Sequence, residues 1–198
     1  MTKINKTLIV LNGASSSGKT SIAKELVSLL GDECVSTGLD DILERVQPFG
    51  SETSGFVNRL LRNLRIIYFN ATDGRFQLFK RLHREVVSHY QSNRSVIVAT
   101  AWMDPRALLD AAEQFAPLNG FLVGVKPPLS VSVQWEAQRG DREIGQAQKH
   151  YDLIHVHGVY DLVIDPSQMP PRDCALYILS QQKEVQPHAF RQILGRDH

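Results

Sequence analysis

The sequence predicts an α/β fold in which helices cover both faces of a five-stranded parallel sheet. Five short apolar segments recur along the 198 residues, and helical patterns separate most of them. Parallel strands need such crossover connections, and strands that are buried on both faces are apolar throughout. The length allows one domain with a sizeable core, so we expect a single domain over residues 1–198.

The elements can be placed in order along the chain. A helix is expected from about Lys19, and Asp104 followed by Pro105 is typical of an N-cap and the first turn of a helix. Another helix follows the prolines at 127–128, and the segment 169–173 breaks the chain before the last helical pattern. The predicted strands are Leu8 to Leu11, Cys34 to Thr37, Ser95 to Thr100, Gly120 to Val125 and Leu162 to Ile164.

Charge, hydropathy and cysteine content restrict the class of protein. The formal net charge is +1, which gives no sign of a surface for nucleic acid or an anionic membrane. The first apolar run is about half as long as a membrane-spanning helix requires, and no signal-type cleavage site follows it. We expect a cytoplasmic protein without membrane or nucleic-acid partners. Cys34 and Cys174 lack metal-type spacing and are expected to be buried thiols.

A complete phosphate-binding loop pattern, Gly-x-x-x-x-Gly-Lys-Thr, lies between the first strand and the first helix. Its backbone N–H groups and the helix dipole favour an anion. Lys19 can reach the β- and γ-phosphates, and the Thr20 hydroxyl can ligate Mg²⁺. This context predicts a three-layer α/β/α fold of the P-loop NTPase type. The expected nucleotide-binding residues are Gly13, Ala14, Ser15, Ser16, Ser17, Gly18, Lys19, Thr20 and Ser21.

Two carboxylates, Asp40 and Asp41, follow the second predicted strand. Ligands of such sheets bind beyond the carboxyl ends of the strands, so Asp40 is expected to face the phosphates. It can accept the proton of an attacking hydroxyl or bind Mg²⁺ through water. Asp41 can act there too, or it can cap a helix that contains Ile42, Leu43 and Val46.

Residues 47–76 are the least regular part of the chain and are expected to form an acceptor-binding insertion. Apolar residues from Phe56 to Leu64 follow a helical stripe, and Ile66 to Phe69 resembles a strand that enters a turn. The stripe runs beside three arginines, which can grip an acidic substrate or nucleic acid or can form a solvated face. These are Arg59, Arg62 and Arg65.

The segment from Glu136 to Arg142 contains an Arg-Gly-Asp-Arg sequence, and residues 136–150 are expected to form a lid. Arg139 and Arg142 can close over the triphosphate and neutralise charge on the transferred group. A surface turn or an arginine–aspartate ion pair explains the same four residues.

Together these residues resemble the chloramphenicol phosphotransferase family. The resemblance rests on the motifs above and on Val123–Val125, His155 and Tyr160–Asp161, in the same order and with similar separations. It covers most of the chain and is poor between about 45 and 76. It implies an ATP- and Mg²⁺-dependent kinase that phosphorylates a small-molecule hydroxyl, with Asp40 as general base, Lys19 and Thr20 on phosphate and metal, and Arg139 and Arg142 in the lid.

The sequence departs from that family after the third strand, where the family tends to carry an acidic pair. Here Val98 to Trp102 contains no carboxylate and the next one is Asp104, so a carboxylate that holds the metal through its waters is missing or is supplied by Asp40 or Asp104. Trp102 and Phe69 are candidates for the walls of an acceptor pocket or for the core. The alternatives to small-molecule transfer are a nucleotide-dependent switch and a kinase with a nucleotide, metabolite or protein acceptor.

Overall fold

The computed structural model describes residues 6–45, 73–139 and 144–195. All five predicted strands form one parallel sheet in the order β2-β3-β1-β4-β5, and each agrees with its predicted span to within one residue at either end. The first strand therefore lies at the centre of the sheet. The strands are β1 (Leu8–Asn12), β2 (Cys34–Gly38), β3 (Ser95–Thr100), β4 (Phe121–Val125) and β5 (Leu162–Ile164).

Helices connect the strands and pack on both faces of the sheet, which confirms the three-layer α/β/α fold. Asp104 caps its helix as expected, because its carboxylate accepts a hydrogen bond from the Arg106 backbone N–H at 2.9 Å. The helices are α1 (Lys19–Leu30), α2 (Leu39–Arg45), α3 (Gly74–Gln91), α4 (Pro105–Phe115), α5 (Leu129–Arg139), α6 (Gln146–Ile154), α7 (Pro171–Glu184) and α8 (Ala189–Ile193).

Alternate residues of the strands enter two separate cores. Ile9 and Leu11 face α1 and α7, and we call this side of the sheet the α1/α7 face. Leu8 and Val10 face the opposite side, where α3, α4 and α8 pack, and we call it the α3/α4 face. The period-2 alternation of a strand explains why neighbours along β1 serve different cores.

Several expectations need correction or lie outside the described residues. Helix α2 begins at Leu39, so Asp41 lies in its first turn and does not cap it. Helix α7 begins at Pro171, inside the expected break, because proline fits the first turn of a helix. The expected strand, the three arginines and Phe69 fall in 46–72, outside the described residues, whereas Gly74 already begins α3. The domain, insertion and lid boundaries remain predictions.

Both cysteines are buried free thiols, as expected. Burial raises the pKa of the Cys34 thiol to about 11, which keeps it protonated near neutral pH. Among the described helices, none has the length and apolar character that crossing a bilayer would require.

Candidate active site

The phosphate loop and Asp40 both follow the carboxyl ends of parallel strands, so they lie at the same end of the sheet. The phosphate loop follows the central strand β1, and Asp40 follows the edge strand β2. Strand β3 lies between them, and neighbouring strands are separated by about 4.8 Å. The end of β2, which leads to Asp40, is therefore roughly 10 Å across the sheet from the end of β1, which leads to the phosphate loop. This separation leaves room for an acceptor between the two.

The loop presents the start of α1 without a protein cap. Gly18 occupies the N-cap position, no side chain caps the helix, and its first turn carries no carboxylate. The first N–H groups of such a helix can bind an anion. The loop is tied to the sheet by a hydrogen bond from the Gly13 N–H to the Thr100 carbonyl at 3.3 Å.

The two glycines of the motif serve different physical needs. A Cβ atom on Gly13 would lie 2.5 Å from the Val125 carbonyl oxygen, so this position must be glycine for the loop to pack on β4. Gly18 has φ +90°, the left-handed region that glycine adopts without strain. A Cβ there would lie 3.5 Å from Pro166 and 3.7 Å from Trp135, so α5 and the segment after β5 also border the loop.

The Lys19 ammonium group lies across the phosphate loop. Its Nζ donates hydrogen bonds to the carbonyl oxygens of Gly13 at 2.8 Å and Ala14 at 2.6 Å, and to the Ser17 hydroxyl at 3.2 Å. The side chain is half-buried, so its charge acts in a partly desolvated setting. This position lets the same ammonium group contact a phosphate bound in the loop.

Three carboxylates follow the ends of β2 and β3. Asp40 and Asp41 are exposed in the first turn of α2. Both Asp104 oxygens accept hydrogen bonds from the Arg106 guanidinium, and these bonds hold the pKa of Asp104 below its usual value. Asp104 therefore already has a structural role as a cap and ion-pair partner, which disfavours it as a substitute for the acidic pair.

The residues predicted to contact Mg²⁺ fit that ion in one particular way. Thr20 and Asp40 are exposed at the carboxyl edge. Within the described ranges, no three or more histidine, cysteine or carboxylate side chains form a metal-binding group. Mg²⁺ needs no protein cage, because it keeps several waters and is commonly held by one or two protein oxygens and substrate phosphates. The donor set therefore suits an ion that enters with a nucleotide.

A buried glutamate, at the start of the range 136–150 that is predicted to form a lid, joins α5 to α6. Glu136 of α5 is 1% exposed, and its carboxylate accepts hydrogen bonds from the N–H groups of Gly145 at 2.7 Å and Ala147 at 2.9 Å. These groups are at the start of α6, where a negative charge is favourable. The Tyr151 hydroxyl also donates to the Pro127 carbonyl at 2.8 Å. These bonds join α5 to the start of α6, and α6 to the residues that follow β4.

The two arginines of the predicted lid lie at the limit of the described residues or beyond it. Helix α5 ends at Arg139, whose side chain is outside the described part of the chain, as is all of Arg142. Their role stays a prediction.

A buried polar network lies directly beneath the phosphate loop on the α3/α4 face. Asn12, the last residue of β1, accepts a hydrogen bond from the Trp102 backbone N–H at 3.2 Å. Its amide group donates to the Tyr160 hydroxyl at 3.0 Å and the Ile154 carbonyl at 3.3 Å. The Tyr160 hydroxyl lies 2.7 Å from Nδ1 of His155. This network joins the end of β1 to the segment between α6 and β5.

Trp102 belongs to the core and does not line an acceptor pocket. Its side chain is 2% exposed, and its Nε1 donates to Nε2 of His83 at 3.2 Å. The opposite nitrogen of His83 lies 2.6 Å from the Asp110 carboxylate. His83 is fully buried, and this burial lowers its pKa although Asp110 acts in the opposite direction. The aromatic ring of Trp102 is therefore fixed by hydrogen bonds within the core.

Asn12, His83 and Asp110 are residues that the sequence reasoning missed. Asn12 ends an apolar strand immediately before the loop, and His83 interrupts the buried stripe of α3 between Leu82 and Val86. A polar residue within an otherwise apolar strand or helical face is the signal that could have found both.

The model of the family "chloramphenicol phosphotransferase-like protein" matches residues 6–183. A search of curated proteins finds no match.

Solved structures share the fold at low sequence identity. The chain is similar to a gluconokinase from Sinorhizobium meliloti 1021, with a TM-score of 0.63, 16% identity, and 99% and 100% of the two chains covered. It is also similar to shikimate kinase from Acinetobacter baumannii, solved with shikimate, with a TM-score of 0.57, 20% identity, and 97% and 95% coverage. A third similar structure is the tunicamycin resistance protein of Deinococcus radiodurans, with a TM-score of 0.58 and 13% identity. The alignment covers 92% of this chain and 99% of that protein.

Proposed function

Because the chain belongs to the chloramphenicol phosphotransferase-like family, we propose that it transfers the γ-phosphoryl group of ATP to a hydroxyl group of a small molecule. The observation that carries this proposal is the pairing of an uncapped phosphate loop on β1 with an exposed carboxylate beyond β2. The family and the shared fold support a nucleotide-dependent phosphotransferase. The ATP donor and the small hydroxyl acceptor are our assignments.

The phosphate loop supplies the donor half of the reaction. The N–H groups at the start of α1 bind the phosphates, and Lys19 balances charge on the β- and γ-phosphates. Thr20 and Asp40 would hold Mg²⁺, which supplies charge neutralisation at the transferred group when it is bound. Arg139 and Arg142 complete this half by closing over the triphosphate.

Asp40 supplies the acceptor half of the reaction. In phosphoryl transfer the protein mainly positions the reacting groups and stabilises charge, so an acceptor hydroxyl must be held in line with the γ-phosphate. The carboxylate of Asp40 orients that hydroxyl and accepts its proton. The separation of roughly 10 Å across β3 is sufficient for the γ-phosphate and the acceptor to lie between Asp40 and the loop.

The experiment that tests this proposal is a screen for a phosphorylated product. The protein is incubated with MgATP and a set of small alcohols that includes chloramphenicol and shikimate, and products are detected by mass spectrometry. We expect at least one alcohol to gain a phosphoryl group while ATP is converted to ADP. A screen in which no alcohol is phosphorylated, although ATP binds, would contradict the proposal.

Substitution of Asp40 tests the role of the base once an acceptor is known. We expect Asp40→Asn to bind ATP normally and to lower the transfer rate by roughly 10² to 10⁴, since general-base catalysis contributes about that much. Asp41→Asn is the matched control, because Asp41 is exposed in the same first turn of α2. Unchanged transfer by Asp40→Asn would remove Asp40 from the mechanism.

One observation favours a nucleotide-dependent switch as the second candidate. Strand β3 ends in Thr100 without a carboxylate, and Asp104 is engaged with Arg106. A switch would bind ATP without phosphorylating any alcohol, and the same screen separates the two functions.

A further inference from the structure

The first turn of helix α3 lies beyond the carboxyl end of the sheet and carries an arginine, Arg75. Helix α3 packs against β2 and β3, and it runs antiparallel to them because residues 92–94 alone connect it to the start of β3. The helix has 18 residues and is about 27 Å long, whereas β3 has 6 residues and spans about 20 Å. The start of α3 therefore projects past the end of β3, the strand that lies between Asp40 and the phosphate loop.

The side chain of Arg75 lies on the face of α3 that is directed at the core. The buried residues Leu78, Phe79 and Leu82 occupy positions i+3, i+4 and i+7 from Arg75, and residues with these spacings share one face of a helix. Arg75 itself is half-buried, so its side chain is still accessible. Helical side chains lean towards the N-terminus of their helix. The guanidinium group is therefore directed inward and extends over the carboxyl end of β3.

The electrostatic neighbours of Arg75 agree with this placement. Burial lowers the pKa of Arg75, and the charge of Asp104, which follows β3, acts in the opposite direction. On the other side, burial and then the charge of Arg75 lower the pKa of His150 in α6. The guanidinium group therefore lies within electrostatic range of both the start of α4 and α6, at the end of the sheet where the phosphate loop and Asp40 lie.

Arg75 differs from its neighbour Arg106 in its ionic partners. Arg106 is exposed, and its guanidinium group pairs with the carboxylates of Asp73 at 2.9 Å and Asp104 at 2.8 Å. Arg75 is less exposed, yet it forms no ion pair and no side-chain hydrogen bond within the described part of the chain. Removing a charge from water is costly unless an opposite charge compensates, so arginine is rarely buried without a partner. The arrangement therefore indicates an anion that a ligand supplies.

We propose that Arg75 binds a carboxylate group of the acceptor, so that the phosphorylated molecule is a small hydroxy acid. A guanidinium group matches a carboxylate through two parallel N–H···O bonds. A single negative charge suits the site, because the lowered pKa of His150 leaves that ring neutral and Asp104 is already paired with Arg106. This inference rests on the proposed function and adds to it the class of acceptor, whose carboxylate would lie at the start of α3 and whose hydroxyl would lie near Asp40.

Matched pairs of substrates test this inference with the full-length protein. Each pair is a hydroxy acid and its uncharged primary amide, with shikimate and gluconate among the acids, and rates of phosphorylation are measured with MgATP. We expect kcat/KM for an acid to exceed that for its amide by about 10- to 100-fold, mainly through KM, since a hydrogen bond to a charged group contributes about that much to binding. Equal kcat/KM values for acid and amide would overturn the proposal.

Variants of Arg75 test whether this side chain is the source of the preference. Arg75→Met keeps an apolar side chain on the core-facing side of α3, and it should lower kcat/KM for the acid about 10- to 100-fold while leaving that for the amide nearly unchanged. Arg75→Lys retains the charge without the two parallel N–H groups and should recover part of the loss. Arg81→Met, which changes an exposed arginine of the same helix, is the control and should keep the wild-type preference. Equal losses for acid and amide in Arg75→Met would show a structural role only.

The range of products separates failure of this inference from failure of the proposed function. If phosphorylation is confined to neutral alcohols such as chloramphenicol, the proposed function stands and the role of Arg75 is wrong. If the protein binds an ATP analogue but phosphorylates no acid, amide or neutral alcohol, the proposed function is wrong and this inference falls with it.

Discussion

The two faces of the sheet are packed by different interactions, although both lie beneath the same site at the carboxyl ends of the strands. The α1/α7 face buries apolar side chains from β1, β3 and β4 against its helices, with Cys34 and Cys174 as small buried thiols. The α3/α4 face also has an apolar interior, but it contains a chain of side-chain hydrogen bonds that joins Asp110, His83 and Trp102. The two sides of one strand therefore have different chemical roles.

This difference matches the different needs of phosphate binding and acceptor recognition. A phosphate loop binds through backbone groups, so apolar packing of α1 behind it is sufficient to hold its geometry. An acceptor must be recognised by side chains, and these are costly to bury unless each polar group finds a partner. On the α3/α4 face, Asp110, His83 and Trp102 meet this requirement, because each of them has a hydrogen-bond partner in the chain that joins the three side chains.

The largest expected effect is on the α1/α7 face, where packing alone is removed. Ile178 of α7 is fully buried, and Ile178→Ala should lower the free energy of unfolding by about 2 to 5 kcal/mol through lost burial and a cavity. Equilibrium denaturation by urea measures this loss. Leu176→Ala on the exposed side of the same helix is the control, with an expected change within about 0.5 kcal/mol. Similar losses for both variants would contradict the assigned core.

A smaller loss in the free energy of unfolding is expected when the hydrogen-bond partner of His83 is removed from the α3/α4 face. Trp102 donates to Nε2 of His83, so the proton on Nδ1 points to Asp110. Asp110→Ala leaves that buried N–H without its partner, at a cost of about 1 to 3 kcal/mol. Thermal and urea unfolding would measure it, with Glu113→Ala as the exposed control on α4. If Asp110→Ala is as stable as its control, the hydrogen bond contributes no net stability.

The smallest expected effect is a dependence of stability on pH that comes from the α3/α4 face. The pKa of His155 is lowered from 6.5 to about 4 in the folded protein, so the unfolded chain binds the proton more readily. This contribution to stability is fully present above pH 6.5 and is lost as the pH falls towards 4. We expect His155→Gln to remove about 1 to 2 kcal/mol of that acid-induced loss.

The difference between the two unfolding curves isolates His155 from the other groups that titrate in this range. Burial also lowers the pKa values of His83 and His157, and these contributions are common to both proteins. Wild-type and His155→Gln curves that remain parallel from pH 6.5 to 4 would show that His155 is not buried as a neutral ring.

The fold was predictable from local patterns because buried parallel strands are apolar throughout and are separated by helices. The phosphate loop was also predictable from a local pattern, because its function depends on eight consecutive residues. The capping role of Asp41 was wrong because α2 begins three residues earlier than a helix capped by Asp41 would, and helix boundaries are weakly encoded by local sequence. Asn12 was missed because its partner Tyr160 is 148 residues away in the chain.

The sequence by itself determined the order of the elements, the position of the phosphate loop and the carboxylate that follows β2. These features follow from periodicity and from the backbone preferences of neighbouring residues, which act over a few positions. Only the tertiary structure decided that Trp102 belongs to the core, that Asp104 is engaged by Arg106 and that His155 lies against Tyr160. A side chain's partner, and with it its proton and charge, depends on residues brought together by folding from distant parts of the chain.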